Sequence, residues 1–358
     1  MKNIWKAFIV VTLACQPLLS QAQPMELNCW MNTGLPDKLT CGEKVWKVPS
    51  AIGAIDLRGV KAMTLDCTSA NPNCLYYVDG ATSVDGLPGA NVVCDGVCEG
   101  LLLTDTASFF CPIPFKATDA MLRLTPRRDD GEEETTFDQP CHETVMLPFD
   151  VDLVIPADVN GPMPGGWLRV ARYERFYDGR LLFAESFASH LGANTPYIVE
   201  FAYAAYGTQI LFCGQNKKVE TTEMVFAGEK PYCFAGMTIS QKEHLGYYRY
   251  YRGREPYFVY TGDCRQMEPF RCFVVNTDLL DSECIPEDGE KVDTGSLSPA
   301  SSDFDRVLEY TIFEMPTAIH AACVQTSSDR YYDLSGRLVT GGRKGRGICI
   351  VNGIKVVK

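Results

Sequence analysis

Histidine is scarce in this chain: four occur in 358 residues. His142, His190, His244 and His320 have no His-Glu-x-x-His partner that would seat zinc on a helix, and no Gly-x-Ser-x-Gly elbow presents a nucleophilic serine. These absences remove the commonest metal- and serine-based hydrolytic designs. Long apolar runs are also missing. Past residue 22 no stretch approaches the ~20 apolar residues a spanning helix needs, so no transmembrane span is expected. Positive charge is in deficit, with 33 Lys and Arg against 45 Asp and Glu and a net charge of -12. A surface this acidic excludes nucleic acid and anionic lipid as general partners. Helical periodicity is nearly absent, with 168–176 and 302–310 the weak candidates.

What is present reads as strand. Short runs rich in Val, Ile, Leu, Phe and Tyr recur at 54–60, 75–78, 101–104, 144–149, 197–203, 208–213, 257–261 and 271–276, each bounded by Gly, Pro, Asn or Asp. Many short strands at even spacing predict an all-β protein built from two antiparallel β-sandwich or barrel-like domains, with a small C-terminal β-hairpin module. A Pro/Gly-rich hinge at 155–166 and an acidic, Ser/Pro-containing stretch at 277–303 set the boundaries. The expected domains are 23–156 and 167–276, followed by a linker at 277–306 and a tail module at 307–358. No internal repeat of 20 to 50 residues is visible that would indicate a solenoid.

The first 22 residues have the form of a signal peptide. Lys2 and Lys6 precede an apolar run from Ala7 to Cys15, and Ser20-Gln21-Ala22 offers small residues where a signal peptidase reads, so cleavage is expected after Ala22. Acylation at Cys15 is the alternative. The protein is therefore expected to be exported, and secreted, anchored or periplasmic.

Fifteen of the sixteen cysteines lie beyond that segment. In an oxidising compartment, two to four bridges with the remainder as buried thiols is the expectation, with Cys67/Cys74, Cys94/Cys98, Cys264/Cys272 and Cys29/Cys41 close enough in sequence to pair. Cys94 and Cys98 also have chelating spacing, and Cys141, His142 and Glu143 stand as possible further ligands, but a closed zinc site wants paired short Cys units and only one exists. Asp150, Asp152, Asp158 and Asn160 do not make a calcium loop. No metal or cofactor is expected. The acidic run 129–134 reads as a mobile loop. Carboxylate pairs for glycoside cleavage cannot be located from sequence, and no catalytic residues are assigned.

The stretch 247–260 crowds six tyrosines and three arginines together. Exposed rings with Arg suit stacking on sugars or protein contacts, which makes Tyr248, Tyr250, Arg252, Arg254 and Tyr257 the candidate binding residues. The alternative is a hairpin whose alternate rings face the core. There Tyr248 and Tyr250 share one face, and Tyr247 and Tyr251 the other.

The last 28 residues carry six Lys or Arg against a single acidic residue, Asp333. Their pattern is Tyr332-Asp333-Leu334-Ser-Gly336-Arg337, then Lys344-Gly, Gly347, Ile350-Val-Asn-Gly353, and Lys355 to Lys358. This resembles the C-terminal tail of exported and surface proteins of the Bacteroidota, where related tails serve as sorting domains for type IX secretion. Landmarks along the body are similar to segments of an uncharacterised family of large exported proteins in that phylum, many with leucine-rich-repeat or other adhesion-type modules. They are Ala54-Ile-Asp-Leu-Arg-Gly59, Asn71-Pro-Asn-Cys-Leu75, Asn91-Val-Val93, Leu103-Thr-Asp105, Pro114-Phe-Lys-Ala117, Leu147-Pro-Phe149, Ala193-Asn-Thr-Pro-Tyr197 and Pro269-Phe-Arg271. A tryptophan usual before Leu-Pro-Phe is missing, no repeat array precedes the module, and Met315-Pro-Thr-Ala-Ile319 stands where a Pro-Asn-Pro segment usually opens the sorting domain. The resemblance implies a non-catalytic surface protein whose partners are an unknown polysaccharide or protein ligand and, through the tail, the export machinery. A carbohydrate-binding module and a secreted hydrolase are the alternatives, and a structural cap is the alternative role of the tail.

Overall fold

A computed structural model describes residues 25–41, 45–129, 140–157, 166–186, 191–202, 207–242, 247–252, 256–260, 266–280, 307–313, 331–332, 348–351 and 354–357. The leader and Cys15, Arg254, most of the linker and most of the tail-motif positions lie outside them. The described chain is all-β apart from one helical turn.

A hairpin of β1 (Met25–Met31) and β2 (Pro36–Cys41) comes first among the described residues. Six short strands then alternate between two parallel stacks: β3 (Val45–Lys47), β5 (Lys61–Asp66) and β7 (Ser83–Asp85) in one, and β4 (Ile52–Asp56), β6 (Leu75–Val78) and β8 (Val92–Cys94) in the other. This is a short β-solenoid, and it overturns the expectation that none was present. Its coils differ in length, since Ala54 is partnered by Leu75 but Tyr76 by Val92, so no fixed period is written in the sequence. Ile52, Ile55, Leu57, Met63, Leu65 and Tyr76 fill the interior between the stacks.

The even-numbered stack is part of a larger sheet. β8 turns into β9 (Val97–Thr104), which runs parallel to β10 (Phe115–Leu124). Farther on, β11 (Cys141–Val145), β12 (Leu153–Pro156), β13 (Leu168–Tyr177), β14 (Arg180–Ser186), β15 (Tyr197–Phe201) and β16 (Ile210–Val219) follow. The nine-stranded sheet has the order β12-β16-β10-β9-β8-β6-β4-β1-β2. The remaining elements are β17 (Val225–Ala227), β18 (Tyr232–Gly236), β19 (Gln241–Lys242), β20 (Tyr247–Tyr251), β21 (Tyr257–Val259), β22 (Gln266–Met267), β23 (Cys272–Asn276), α1 (Thr277–Leu280), β24 (Val307–Leu308), β25 (Tyr310–Phe313), β26 (Tyr331–Tyr332), β27 (Ile348–Val351) and β28 (Ile354–Val357).

A five-stranded sheet, β11-β15-β13-β14-β25, lies between the large sheet and a six-stranded sheet, β17-β18-β23-β20-β21-β24. Alternation along its strands shows this directly. Val145, Val170, Val199 and Phe201 pack toward Leu103, Leu122 and Phe212 of the large sheet. Ala171, Tyr173, Phe183 and Ile198 pack toward Phe234, Tyr248, Phe258 and Val274 of the six-stranded one. The middle sheet is therefore apolar on both faces.

The expected boundary at 156–167 does not divide these sheets. β16, from the expected second domain, pairs with β10 and β12, and β11, from the first, pairs with β15. The weak helical candidate 168–176 is strand β13. Its register slips between Tyr173 and Arg175, and that bulge breaks the two-residue period. The tail does not begin at 307 either. β24 joins β21, β25 joins β14, and Leu308 is buried between the sheets, with the Tyr310 and Tyr250 hydroxyls 3.0 Å apart. The C-terminal β26-β27-β28 sheet is antiparallel, as expected for the tail, but has three strands.

Because 307–313 links two sheets, a chain ending at residue 313 should fold like the full body and one ending at 306 should not. Leu308→Ala should cost ~2–5 kcal/mol for a buried leucine. Urea melts followed by tryptophan fluorescence check both.

Candidate functional site

Eight charged side chains converge where the three main sheets meet. Asp105 follows β9, Arg127 and Asp129 follow β10, Glu143 lies in β11, Arg249 and Arg252 come from β20 and its end, and Glu268 and Arg271 flank the turn from β22 to β23. Arg252 is central. Its Nε and Nη2 donate to the Asp129 carboxylate at 3.2 and 3.1 Å, and its Nη1 donates to Glu143 Oε2 at 3.2 Å and Glu268 Oε2 at 3.0 Å. The backbone completes the latch, because Arg252 N donates to Asp129 Oδ2 and Asp129 N to Arg252 O. Arg271 Nη2 donates to Asp105 at 2.8 Å, and its Nε lies 3.4 Å from Glu143 and 3.5 Å from Glu268. Arg127 approaches Glu268 at 3.6 Å and Arg249 approaches Asp129 at 3.8 Å.

Glu143 is 1% exposed. A lone carboxylate there would be costly, and two guanidinium groups offset the cost. Beside them is a cavity of about 80 Å³ lined in part by Glu143, Arg249, Arg252, Gln266, Glu268 and Arg271. It has room for several waters. Waters there would supply acceptors for Arg249 Nε and for Arg271 Nε and Nη1, which are buried without a well-aligned protein acceptor.

The chemistry of this cavity is constrained. Glu143 and Glu268 both touch Arg252 Nη1, at 3.2 and 3.0 Å, so their carboxylates are close neighbours, the first condition for a glycosidase-type carboxylate pair. A general acid, however, needs a raised pKa. At Asp129 and Glu268 burial pushes the carboxyls up, but the guanidinium groups, Arg252 foremost, outweigh it and hold both below the usual carboxylate range. The cavity's thiol, Cys272, is pushed up by burial, away from the thiolate a nucleophile requires.

The candidate binding residues fall elsewhere than expected. Tyr248 and Tyr250 do share a face, but that face is the core between the five- and six-stranded sheets, so neither ring can stack on a sugar. Tyr247 packs on the opposite face against Phe273, with ring centroids 4.8 Å apart. Arg252 is the buried centre of the ion cluster. Tyr257 is half-buried and stacks on the half-buried Tyr251 at 4.8 Å, so this pair and the half-buried Tyr260 are the rings of the stretch that keep some exposure. Of the tail residues, Tyr332 lies in β26 and Lys355 in β28, whereas Asp333, Leu334, Gly336, Arg337, Gly347, Gly353 and Lys358 lie outside the described residues.

Sequence reasoning missed Asp105, Asp129, Glu143, Glu268 and Arg271 as one group. Asp129, read as part of a mobile loop, is instead held by Arg252. The available signal was a single charge set in an apolar segment, as with Arg271 between Phe270 and Cys272. Among the described residues no group of His, Cys, Asp and Glu is arranged to hold a metal. Asp152 is engaged by Lys217 at 2.6 Å, and Asp150 accepts from Ala193 N.

No protein-family model matches the chain, and no curated protein or solved structure matches it either.

Breaking the cluster from one side should be severe. Arg252→Met leaves Glu143 buried without its closest cation and should cost ~3–5 kcal/mol in a urea melt. Acid should act through the same groups. The folded-state pKa values of Asp129 and Glu268 are depressed, so their stabilisation is complete above the unfolded carboxylate range near ~4 and is lost as pH falls through the lower folded-state values. The urea midpoint of Glu268→Gln should therefore fall less steeply below pH 4 than that of the parent chain.

Proposed function

We propose that this chain is an exported, non-catalytic surface protein of adhesion or binding type, in which a rigid β body is delivered by a basic C-terminal module. The observation that carries the reading is the terminal module itself. β26, β27 and β28 pair with one another, and no ladder joins them to the body among the described residues. Their segment is basic in an acidic protein. A self-contained strand module of opposite charge suits a signal read by other machinery better than a cap, which would be tied to the body.

Two features of the body support binding over catalysis. The cavity's carboxylates are engaged by arginines, as described above. In addition, Leu102, Met121, Cys213 and Leu153 form one register row across β9, β10, β16 and β12, with Leu102 and Leu153 well exposed. This is the face that the odd-numbered solenoid strands cover farther along the same sheet. An exposed apolar row on a finished sheet suits contact with another molecule.

Deleting 331–358 tests the reading. The truncated chain should fold with an unchanged urea midpoint yet accumulate in the periplasm of its host, as measured by surface proteolysis and fractionation. Normal surface delivery of the truncated chain would overturn the sorting role.

A further inference from the structure

The solenoid ladders discriminate among the cysteine pairs that sequence proximity suggests. In the β8–β9 hairpin Cys94 faces Val97 and Cys98 faces Val93, so the two cysteines point to opposite faces, one exposed and one buried. Neither a disulfide nor a shared metal fits that arrangement. In the β1–β2 hairpin Cys41 faces Met25, which is four residues along the strand from Cys29, a separation of ~13 Å against the ~7 Å limit for bridged Cα atoms. Cys29 is also two strands from β6, because it faces Ile55 and Ile55 faces Tyr76, so it lies too far from Cys74.

Cys67 and Cys74 are placed differently. Cys67 directly follows β5 and Cys74 directly precedes β6, so the pair brackets one corner of a solenoid coil. Two turns fold the corner back on itself, with Ala70 N donating to Cys67 O at 3.1 Å and Cys74 N to Asn71 O at 2.9 Å. Both cysteines belong to the same core cluster. Both are free thiols in this structure, with Cys67 Sγ donating to Gly86 O at 3.6 Å, and both sulfurs face the buried Tyr76 hydroxyl, which has no well-aligned hydrogen-bond partner.

We propose that Cys67 and Cys74 are a disulfide site that closes this corner, and that oxidation of the two thiols locks the middle coil of the solenoid. The reaction is thiol–disulfide exchange with a low-molecular-weight disulfide such as oxidised glutathione. The half-buried Cys67, as thiolate, attacks one glutathione sulfur and expels the other as a thiolate. Cys74 then attacks Cys67 Sγ and releases the second glutathione. Two electrons pass to the oxidant, and the two thiol protons end on the two glutathione thiols. Burial pushes the Cys74 thiol up to about 12. The second step is therefore slow in the folded chain, and closure during folding is favoured. The export reading supplies the oxidising compartment, but the test does not depend on it.

The purified mature chain is refolded in a glutathione redox buffer, alkylated with iodoacetamide under denaturing conditions without reductant, and cleaved before aspartate. Cleavage at Asp66 and Asp79 releases 66–78, in which Cys67 and Cys74 are the only cysteines. The expected product is this peptide unalkylated, two hydrogens lighter than the dithiol, and free of fragment ions between the two cysteines until reductant is added. In Cys67→Ser, Cys74 should be recovered singly alkylated. A doubly alkylated 66–78 peptide from the refolded parent chain overturns the proposal, as does either cysteine bridged to another peptide. Failure here leaves surface delivery of the chain untouched, and failure of delivery leaves this bond untouched.

Discussion

Glu143 imposes the strongest single condition on this molecule. It is a carboxylate on β11, an edge strand of the middle sheet, and it points into the junction of all three large sheets. An ion so buried is tolerated only with opposite charge and satisfied hydrogen bonds around it. Those come from Arg252 and Arg271, which arrive from the six-stranded sheet, and both arginines are held in turn by Asp129 and Asp105 from the end of the nine-stranded sheet. The cluster thus ties three layers together at one point. Its geometry specifies how the sheets meet, which apolar packing leaves less well defined because it is non-directional.

The apolar layers supply the bulk of the stability. Two adjoining sheets are buried on both faces for part of their extent: in the nine-stranded sheet this is the parallel stack β4, β6 and β8, as is usual for parallel strands, whereas in the five-stranded sheet it is the antiparallel strands, whose second face is commonly solvated. Tyr173, Phe183, Phe234 and Phe258 form a ring cluster in one interface, with edge-to-face contacts at 5.3 Å and 5.1 Å. The strand pair β24–β25 crosses from the six-stranded sheet to the five-stranded one within seven residues. The two sheets are therefore joined by chain as well as by packing.

Strand content was legible because β-branched and aromatic runs bounded by turn residues have a direct physical cause, and 75–78 coincides with β6. Layer order was not legible. A strand buried on both faces loses its polar alternation, and β13 loses its period at the Tyr173–Arg175 bulge. The solenoid was hidden because its corners are built from single asparagines instead of a repeat. Asn73 donates to Thr104 O and Ala107 O and accepts from Thr104 N, while Asn91, at φ +62°, donates to Pro72 O and Leu102 O and accepts from Leu102 N. These asparagines, with Asp105 and Arg271, belong to the motifs quoted for the family resemblance. The motif positions thus have a structural role in this chain whatever their origin. The ion cluster was illegible for a related reason: its members come from five separate segments of the sequence.

The terminal module differs from the body in how it is held. Each body strand beyond the small peripheral sheets has an apolar face covered by another layer. β26, β27 and β28 are two to four residues long, and their ladders are internal. By its length alone, a sheet of three such strands is marginal unless it packs against something else. Ile348, Cys349, Ile350, Val351, Ile354, Val356 and Val357 make β27 and β28 apolar in sequence, within a tail that also carries six Lys or Arg. If the module is the sorting signal proposed above, a receptor that covers these side chains and neutralises the adjacent cations would stabilise it on binding. A cap would gain its stability from the body instead, and its removal would lower the body's urea midpoint.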